Sequence, residues 1–264
     1  MSKVNKYKDI IVNHYSNNCV EDDRFLEKEK RVEFLTTMHY IKKHAKKGCK
    51  ILEIGAGTGA YSVELAKMGY NVTAVELVES NLEVMKKKAE GIKNITCLQG
   101  DALDLSRFED NSFDVVLNLG PMYHLFNQKD KNKAINESVR VCKGKGVCMF
   151  AYLTHSSIVW GYGVRKNKLK NVFPFLDSKG KIKDAPEEVF SSYHVEDFNK
   201  QFEKLNTTYI KNVATDGLFP AMRDCIEKLN EDDYNKLIVW HFNTCERLDL
   251  QGYSSHMLYI CKKN

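Results

Sequence analysis

Ile51-Leu52-Glu53-Ile54-Gly55-Ala56-Gly57-Thr58-Gly59-Ala60-Tyr61 joins an apolar run to a stretch with helical spacing. Alternating glycines at such a junction let the backbone take positive φ and let a ligand approach the peptide closely. Spacing alone leaves two ligand classes open, because Gly55-x-Gly57-x-x-Ala60 also satisfies the dinucleotide-binding fingerprint. Glu53 separates them. A carboxylate in the approach strand repels a pyrophosphate, whereas a ligand with no phosphate and an ammonium group tolerates it. Glu76 ends the next apolar run, where a carboxylate can accept both hydroxyls of a ribose. Gly100-Asp101-Ala102 follows the third run. An aspartate there can hydrogen-bond the exocyclic amine of adenine, and the alanine leaves room for the ring.

These groups need elements to carry them. Apolar runs at Lys50–Ile54, Asn71–Glu76, Ile95–Leu98, Phe113–Leu119 and Val147–Tyr152 read as strands. Between them lie helical patterns, including residues 59–68 and the Leu82, Met85, Ala89, Ile92 face. Ile135, Val139 and Cys142 mark another face, closed at Gly144. Residues 24–47 read as a preceding helix, with Phe25, Val32, Leu35, Met38 and Ile41 on one stripe and a basic last turn before Gly48. Alternating strands and helices predict a doubly wound, Rossmann-like α/β fold with a mainly parallel sheet covered on both faces. Thr207–Val213 and His256–Lys262 bring the expected strands to seven, the last of them antiparallel. We expect residues 1–154 to hold the N-terminal helices and core, 155–192 a cap insertion, and 193–264 the rest of the core with a helical insertion at 218–248. The aromatic residues Trp160, Phe173, Phe175, Phe190, Phe219 and Trp240 are expected to face a pocket under that cap.

Composition narrows the function classes. The 40 basic residues are countered by 35 acidic ones, leaving +5. Runs such as Lys86-Lys87-Lys88 then read as solvated helix faces, and nucleic acid is not an expected partner. No apolar run approaches the about 20 residues that span a bilayer, so no membrane partner is expected. The eight cysteines include no Cys-x-x-Cys pair and no metal-ligand spacing, which points to reduced thiols, no metal, and a cytoplasmic protein.

Taken together the motifs resemble the class I S-adenosylmethionine-dependent methyltransferases. Glu53–Gly59 is similar to their first motif, Glu76 to their ribose acid, and Gly100–Ala102 to their adenine motif. Phe113-Asp114-Val115-Val116-Leu117-Asn118-Leu119 is similar to their fourth, and Gly144-Lys145-Gly146 to their Pro-Gly-Gly turn, without the proline. Leu119-Gly120-Pro121-Met122-Tyr123-His124-Leu125 further resembles a Gly-Pro-Leu-Tyr-His-Leu signature of a bacterial small-molecule group. Tyr193-His194 and Gly252-Tyr253-Ser254-Ser255-His256 extend that likeness into the second half. The resemblance implies S-adenosyl-L-methionine as cofactor, bound by Glu53, Gly55, Ala56, Gly57, Gly59, Glu76, Leu77, Asp101, Ala102, Asn118 and Leu119. It also implies that Tyr15 and Arg31 cover its methionine end, the arginine by a charge-assisted pair.

Methyl transfer of this kind needs no protein nucleophile. Much of the acceleration comes from positioning in a dry, closed site. A base is useful if the acceptor is a hydroxyl or an ammonium. His124, just past the fourth strand, and His194 are the expected bases, with Tyr123 orienting; His256, at a strand start, reads as structural. The expected acceptor is a small organic molecule with an apolar or aromatic body. Three rivals remain at this point. One is a nucleic-acid (RNA) methyltransferase, faintly suggested by Asn118 to Tyr123. The others are a nicotinamide-dependent oxidoreductase and a binding module that keeps the fold without turnover.

Overall fold

The computed structural model describes residues 11–16, 24–182 and 190–264. Strand β1 (Lys50–Ile54) sits at the centre, and Ile51, Leu52 and Ile54 are buried there on both faces. It pairs in parallel with β2 (Asn71–Glu76) on one side and β4 (Phe113–Asn118) on the other. β3 (Ile95–Gln99) extends the sheet beyond β2, and β5 (Cys142–Thr154) extends it beyond β4. A two-residue strand, β6 (Ser192–Tyr193), lies beside the end of β5. β7 (Thr207–Ala214) is joined to β5 through β8 (His256–Lys263), which runs antiparallel to both. The order is β3-β2-β1-β4-β5-β8-β7, so the seven expected strands form the sheet and β8 is the one that runs against the rest.

Four helices cover it: α1 (Lys28–His44), α2 (Ala60–Lys67), α3 (Glu79–Lys88) and α4 (Gln128–Val141). Progress from β1 to β3 and then from β4 to β5 runs in opposite directions along the sheet. Right-handed crossovers therefore put α2 and α3 on one face and α4 on the other. The direction reverses between β1 and β4, which opens a crevice at the carboxyl ends of those strands. α4 starts sharply because the Asn127 side chain caps it, accepting from the Asp130 N–H. It stops at Val141, before the expected Gly144, and β5 starts at Cys142, well before the expected Val147. Between the register points Phe113↔Cys142 and Val115↔Val147, the Gly-Lys-Gly turn bulges out of the strand with Lys145 at φ 67°.

The main core joins α1, α2, α4 and the central strands around Ile41, Leu65, Val116, Phe150 and Ile260. A second cluster of Val32, Phe219, Ile226, Tyr234 and Ile238 packs α5 (Glu231–Thr244) behind α1. After β5 the chain forms a π-helical turn, Ser157–Val164, then short turns at Leu169–Val172 and Phe173–Phe175. Among the described residues no helix is long and apolar enough to cross a membrane. Lys86, Lys87 and Lys88 are exposed in the last turn of α3.

Candidate active site

The glycine turn leaves β1 with Gly55 at φ 71° and Gly57 at φ 57°. The two glycines serve different ends. A Cβ on Gly55 would lie 2.7 Å from Cδ of Pro121, so the missing side chain lets the turn Pro121–Tyr123 dock against β1. Gly120 meets Gly55 from the other side, where its own Cβ would lie 3.1 Å from the Gly55 carbonyl oxygen. A Cβ on Gly57 would meet nothing within 4 Å, so that peptide faces open space. The opening is part of a cavity of about 920 Å³ along the carboxyl ends of β1, β2, β3 and β4. Small-molecule sites typically occupy about 300–1,000 Å³.

Two buried acids line this end. Glu76 is fixed by backbone donors: the Gly57 N–H reaches Oε2 at 2.7 Å and the Val78 N–H reaches Oε1 at 2.9 Å. Glu53 is 1% exposed and accepts from the Ser62 hydroxyl. Burial, reinforced by the Glu76 charge and opposed by that hydrogen bond, pushes its carboxyl up to about 8. Asp101 turns back to accept from the Leu103 N–H at 2.9 Å. Ala56, Leu77, Ala102 and Leu119 complete this end of the wall.

At the other end, Tyr123 and His124 follow β4. Tyr15 bonds His124 Nε2 through its hydroxyl at 2.9 Å, and Phe190 packs on the His124 ring at 5.3 Å. The Tyr123 hydroxyl is buried with no hydrogen-bond partner among the described residues. Sequence reasoning passed over Arg24, Glu29, Glu33, Arg165 and Asp216 here, and read His256 as structural. Arg24 pairs with Glu33 at 2.6 Å, Arg165 with Glu29 at 3.0 Å, and Asp216 with His256 at 2.7 Å. All six line the cavity. Glu29 and Glu33 are one helical turn apart on the buried side of α1, and that spacing was the available signal.

Several expected residues do not reach the cavity. Arg31 turns the other way, bonding Glu231 at 2.9 Å with its guanidinium 4.6 Å over the Tyr234 ring, so it ties α1 to α5. His194 precedes a short helix and packs edge-on against His155 at 4.6 Å. Asn118 lies beneath the wall, donating to the Ser138 hydroxyl at 3.2 Å. Gly59 is a packing position, since its Cβ would lie 2.6 Å from Cγ of Met85. Of the aromatic residues expected to line a pocket, Phe190 lines this cavity, whereas Phe219 and Trp240 line a separate one of about 330 Å³. Trp160, Phe173 and Trp240 are exposed, and Phe219 is buried in the second cluster. The rings that do line the cavity are those of Tyr15, Phe25, Tyr61, Tyr123, Tyr162 and Phe190.

Residues 52–150 match the family described as a methyltransferase domain. A demethylmenaquinone methyltransferase of Staphylococcus aureus is 38% identical over 109 residues, which are 39% of this chain and 44% of the relative. The chain thus spans less than half the length of that relative. Among solved structures, an S-adenosylmethionine-dependent methyltransferase of Thermotoga maritima aligns with TM-score 0.59 at 18% identity, over 96% of this chain and all of the other. One from Methanosarcina mazei aligns with TM-score 0.55 at 18% identity, over 85% and 96% of the two chains. Residues 52–150 thus carry the methyltransferase-domain match, and the chain shares its fold with solved S-adenosylmethionine-dependent methyltransferases.

Proposed function

We propose that this chain transfers the methyl group of S-adenosylmethionine to a small organic acceptor. The observation that carries the reading is a single cavity with two chemically different ends: the open Gly57 peptide with Glu53, Glu76 and Asp101 at one, and aromatic rings with paired ions at the other. The residues present fit the cofactor. The buried acids Glu53 and Glu76 beside the glycine turn suit a ligand with an ammonium and a sulfonium and disfavour a pyrophosphate. On this reading Glu76 holds the ribose, Asp101 and Ala102 the adenine end, and Glu53 lies toward the cationic end. When bound, the cofactor supplies an electrophilic methyl group. The chain orients the acceptor toward it and keeps water out, with His124 held against Tyr15 and Phe190 on the acceptor side.

Small-molecule acceptors are favoured over nucleic acid because the arginines at the acceptor end, Arg24 and Arg165, are already matched by Glu33 and Glu29. A cytoplasmic setting is supported by seven free thiols among the described residues. Calorimetry tests the cofactor assignment. S-adenosylhomocysteine should bind and NADH should not. Glu76→Ala should weaken binding by about 1–3 kcal/mol, through loss of a buried acceptor carboxylate. Unchanged affinity would remove the ribose role from Glu76, and NADH binding in place of S-adenosylhomocysteine would sink the reading.

A further inference from the structure

The antiparallel strand has a consequence for chemistry. Because β8 runs against its neighbours, its first residue, His256, emerges at the edge where β4, β5 and β7 end; it pairs in register with Leu153 near the end of β5. Asp216, just past the end of β7, meets it there. The Asp216 carboxylate is 2% exposed and immobilised. Its Oδ1 accepts from the Ser254 hydroxyl at 2.7 Å and from the N–H groups of Ser255 and His256 at 2.9 and 3.1 Å. Its Oδ2 faces His256 Nδ1 at 2.7 Å. An ionised carboxylate only accepts, so this contact fixes the proton on Nδ1 and leaves Nε2 as the acceptor of the ring. Nε2 faces a donor, Arg24 Nη2 at 3.4 Å, as that tautomer requires. The Tyr123 ring stands 5.9 Å away with its buried hydroxyl unpaired among the described residues. An imidazole oriented by a clamped carboxylate, on the wall of a cavity and beside an unpaired hydroxyl, is an arrangement that moves a proton.

We propose that His256, oriented by Asp216, accepts the proton released on methylation, and that the acceptor is a neutral aromatic hydroxyl. The inference rests on the methyltransferase reading above. The acceptor oxygen keeps the electron pair of its O–H bond and forms the O–C bond with the incoming methyl. The C–S pair stays on sulfur, and the proton passes to Nε2 and then to water. An aromatic hydroxyl fits because the wall is built of tyrosine and phenylalanine rings. Glu29 and Glu33 are paired with Arg165 and Arg24, and Asp216 is engaged by the imidazole, so these acids are not left free to select an ammonium.

The groups facing His256 are Glu33 from α1 at 3.8 Å, Asp216, Arg24 and the Tyr123 ring. Burial by itself would lower the imidazole, and Arg24 acts the same way, but the two carboxylates outweigh them and hold it above its ordinary range. Turnover should therefore rise with pH through a raised histidine titration.

Wild type, His256→Asn, His256→Gln and Asp216→Asn are first titrated with S-adenosylhomocysteine. Retained affinity establishes folded variants, and loss of binding by the wild type would count against the methyltransferase reading itself. Phenol, catechol and 1-naphthol are then offered with methyl-labelled cofactor. The wild type should label at least one, and the His256 variants should lose about 100-fold or more in turnover. In imidazole NMR, the His256 signal should shift when catechol is added to protein saturated with S-adenosylhomocysteine. Asp216→Asn should move both the imidazole titration and the rising limb of the pH profile to lower pH. Binding of S-adenosylhomocysteine without labelling of any of the three phenols, or undiminished turnover in the His256 variants, overturns the proposal. An unmoved titration in Asp216→Asn overturns the orienting role.

Discussion

Glu53 is the residue whose chemistry departs furthest from its ordinary behaviour at the glycine turn. With its carboxyl pushed up to about 8 by burial, it stays protonated in the folded chain where it would be ionised in the unfolded one. The folded state thus binds the extra proton, and stability is greatest below the ordinary carboxylate range and falls as pH rises toward 8. Glu53→Gln removes the effect. Denaturant unfolding between about pH 5 and pH 8 should show the variant gaining on the wild type as pH rises, and parallel curves would refute the account. The residue scale is also where sequence reading was weakest. Glu29 and Arg31 are two residues apart on α1, yet of the two only Glu29 faces the cavity, because two steps of about 100° turn them to opposite sides of the helix. His256 read as a strand-start histidine, and its weight came only with Asp216, a partner 40 residues earlier in the chain that spacing does not reveal.

At the scale of elements, much was legible because apolar runs bounded by turn residues leave few options. The expected limits of β1 and β2 are those observed. β5 was read too short, since Gly144-Lys145-Gly146 looks like a loop and is a bulge inside a longer strand. α1 carries an apolar stripe as expected, but its buried side also holds Glu29 and Glu33, a pattern that one sequence cannot distinguish from a solvated face. The glycine turn gives a test in which two adjacent elements answer differently. Gly55→Ala forces a Cβ against Pro121 in a left-handed backbone, costing about 1–2 kcal/mol for the backbone and about 1–3 kcal/mol for overpacking. It should lower the melting temperature. Gly57→Ala meets open space, so it should cost only the backbone strain of about 1–2 kcal/mol while lowering affinity for S-adenosylhomocysteine. Thermal melts and calorimetry on both variants check this, and equal effects on stability would contradict the division of labour.

For the whole molecule, the sheet sets the site by collecting strand ends along one edge. The cap is less extensive at the cavity than the aromatic content of residues 155–192 and 218–248 led us to expect. Residues 157–166 contribute Ser157, Ile158, Gly161, Tyr162, Arg165 and Lys166 to the wall, and residues 218–248 contribute Pro220. α5 instead braces α1 from behind, through Arg31, Tyr234 and Glu231. Sequence could not separate these roles because an exposed Trp240 and a pocket tryptophan have the same composition. A cavity closed by rings and matched ions suits a molecule of metabolite size. With methyl-labelled cofactor and separated nucleic-acid, protein and metabolite fractions, label should accumulate among the metabolites. Label confined to nucleic acid would favour the base-methylating rival.

Apart from Tyr123 and His124, the charged groups at the two ends of the cavity have different addresses in the chain. Glu53, Gly57, Glu76 and Asp101 all lie within residues 52–150, whereas Arg24, Glu29, Glu33, Arg165, Asp216 and His256 all lie outside that stretch. On the proposed reading, substitutions in the flanking segments should alter acceptor choice while leaving cofactor affinity unchanged. A family match confined to residues 52–150 is what such a division would leave.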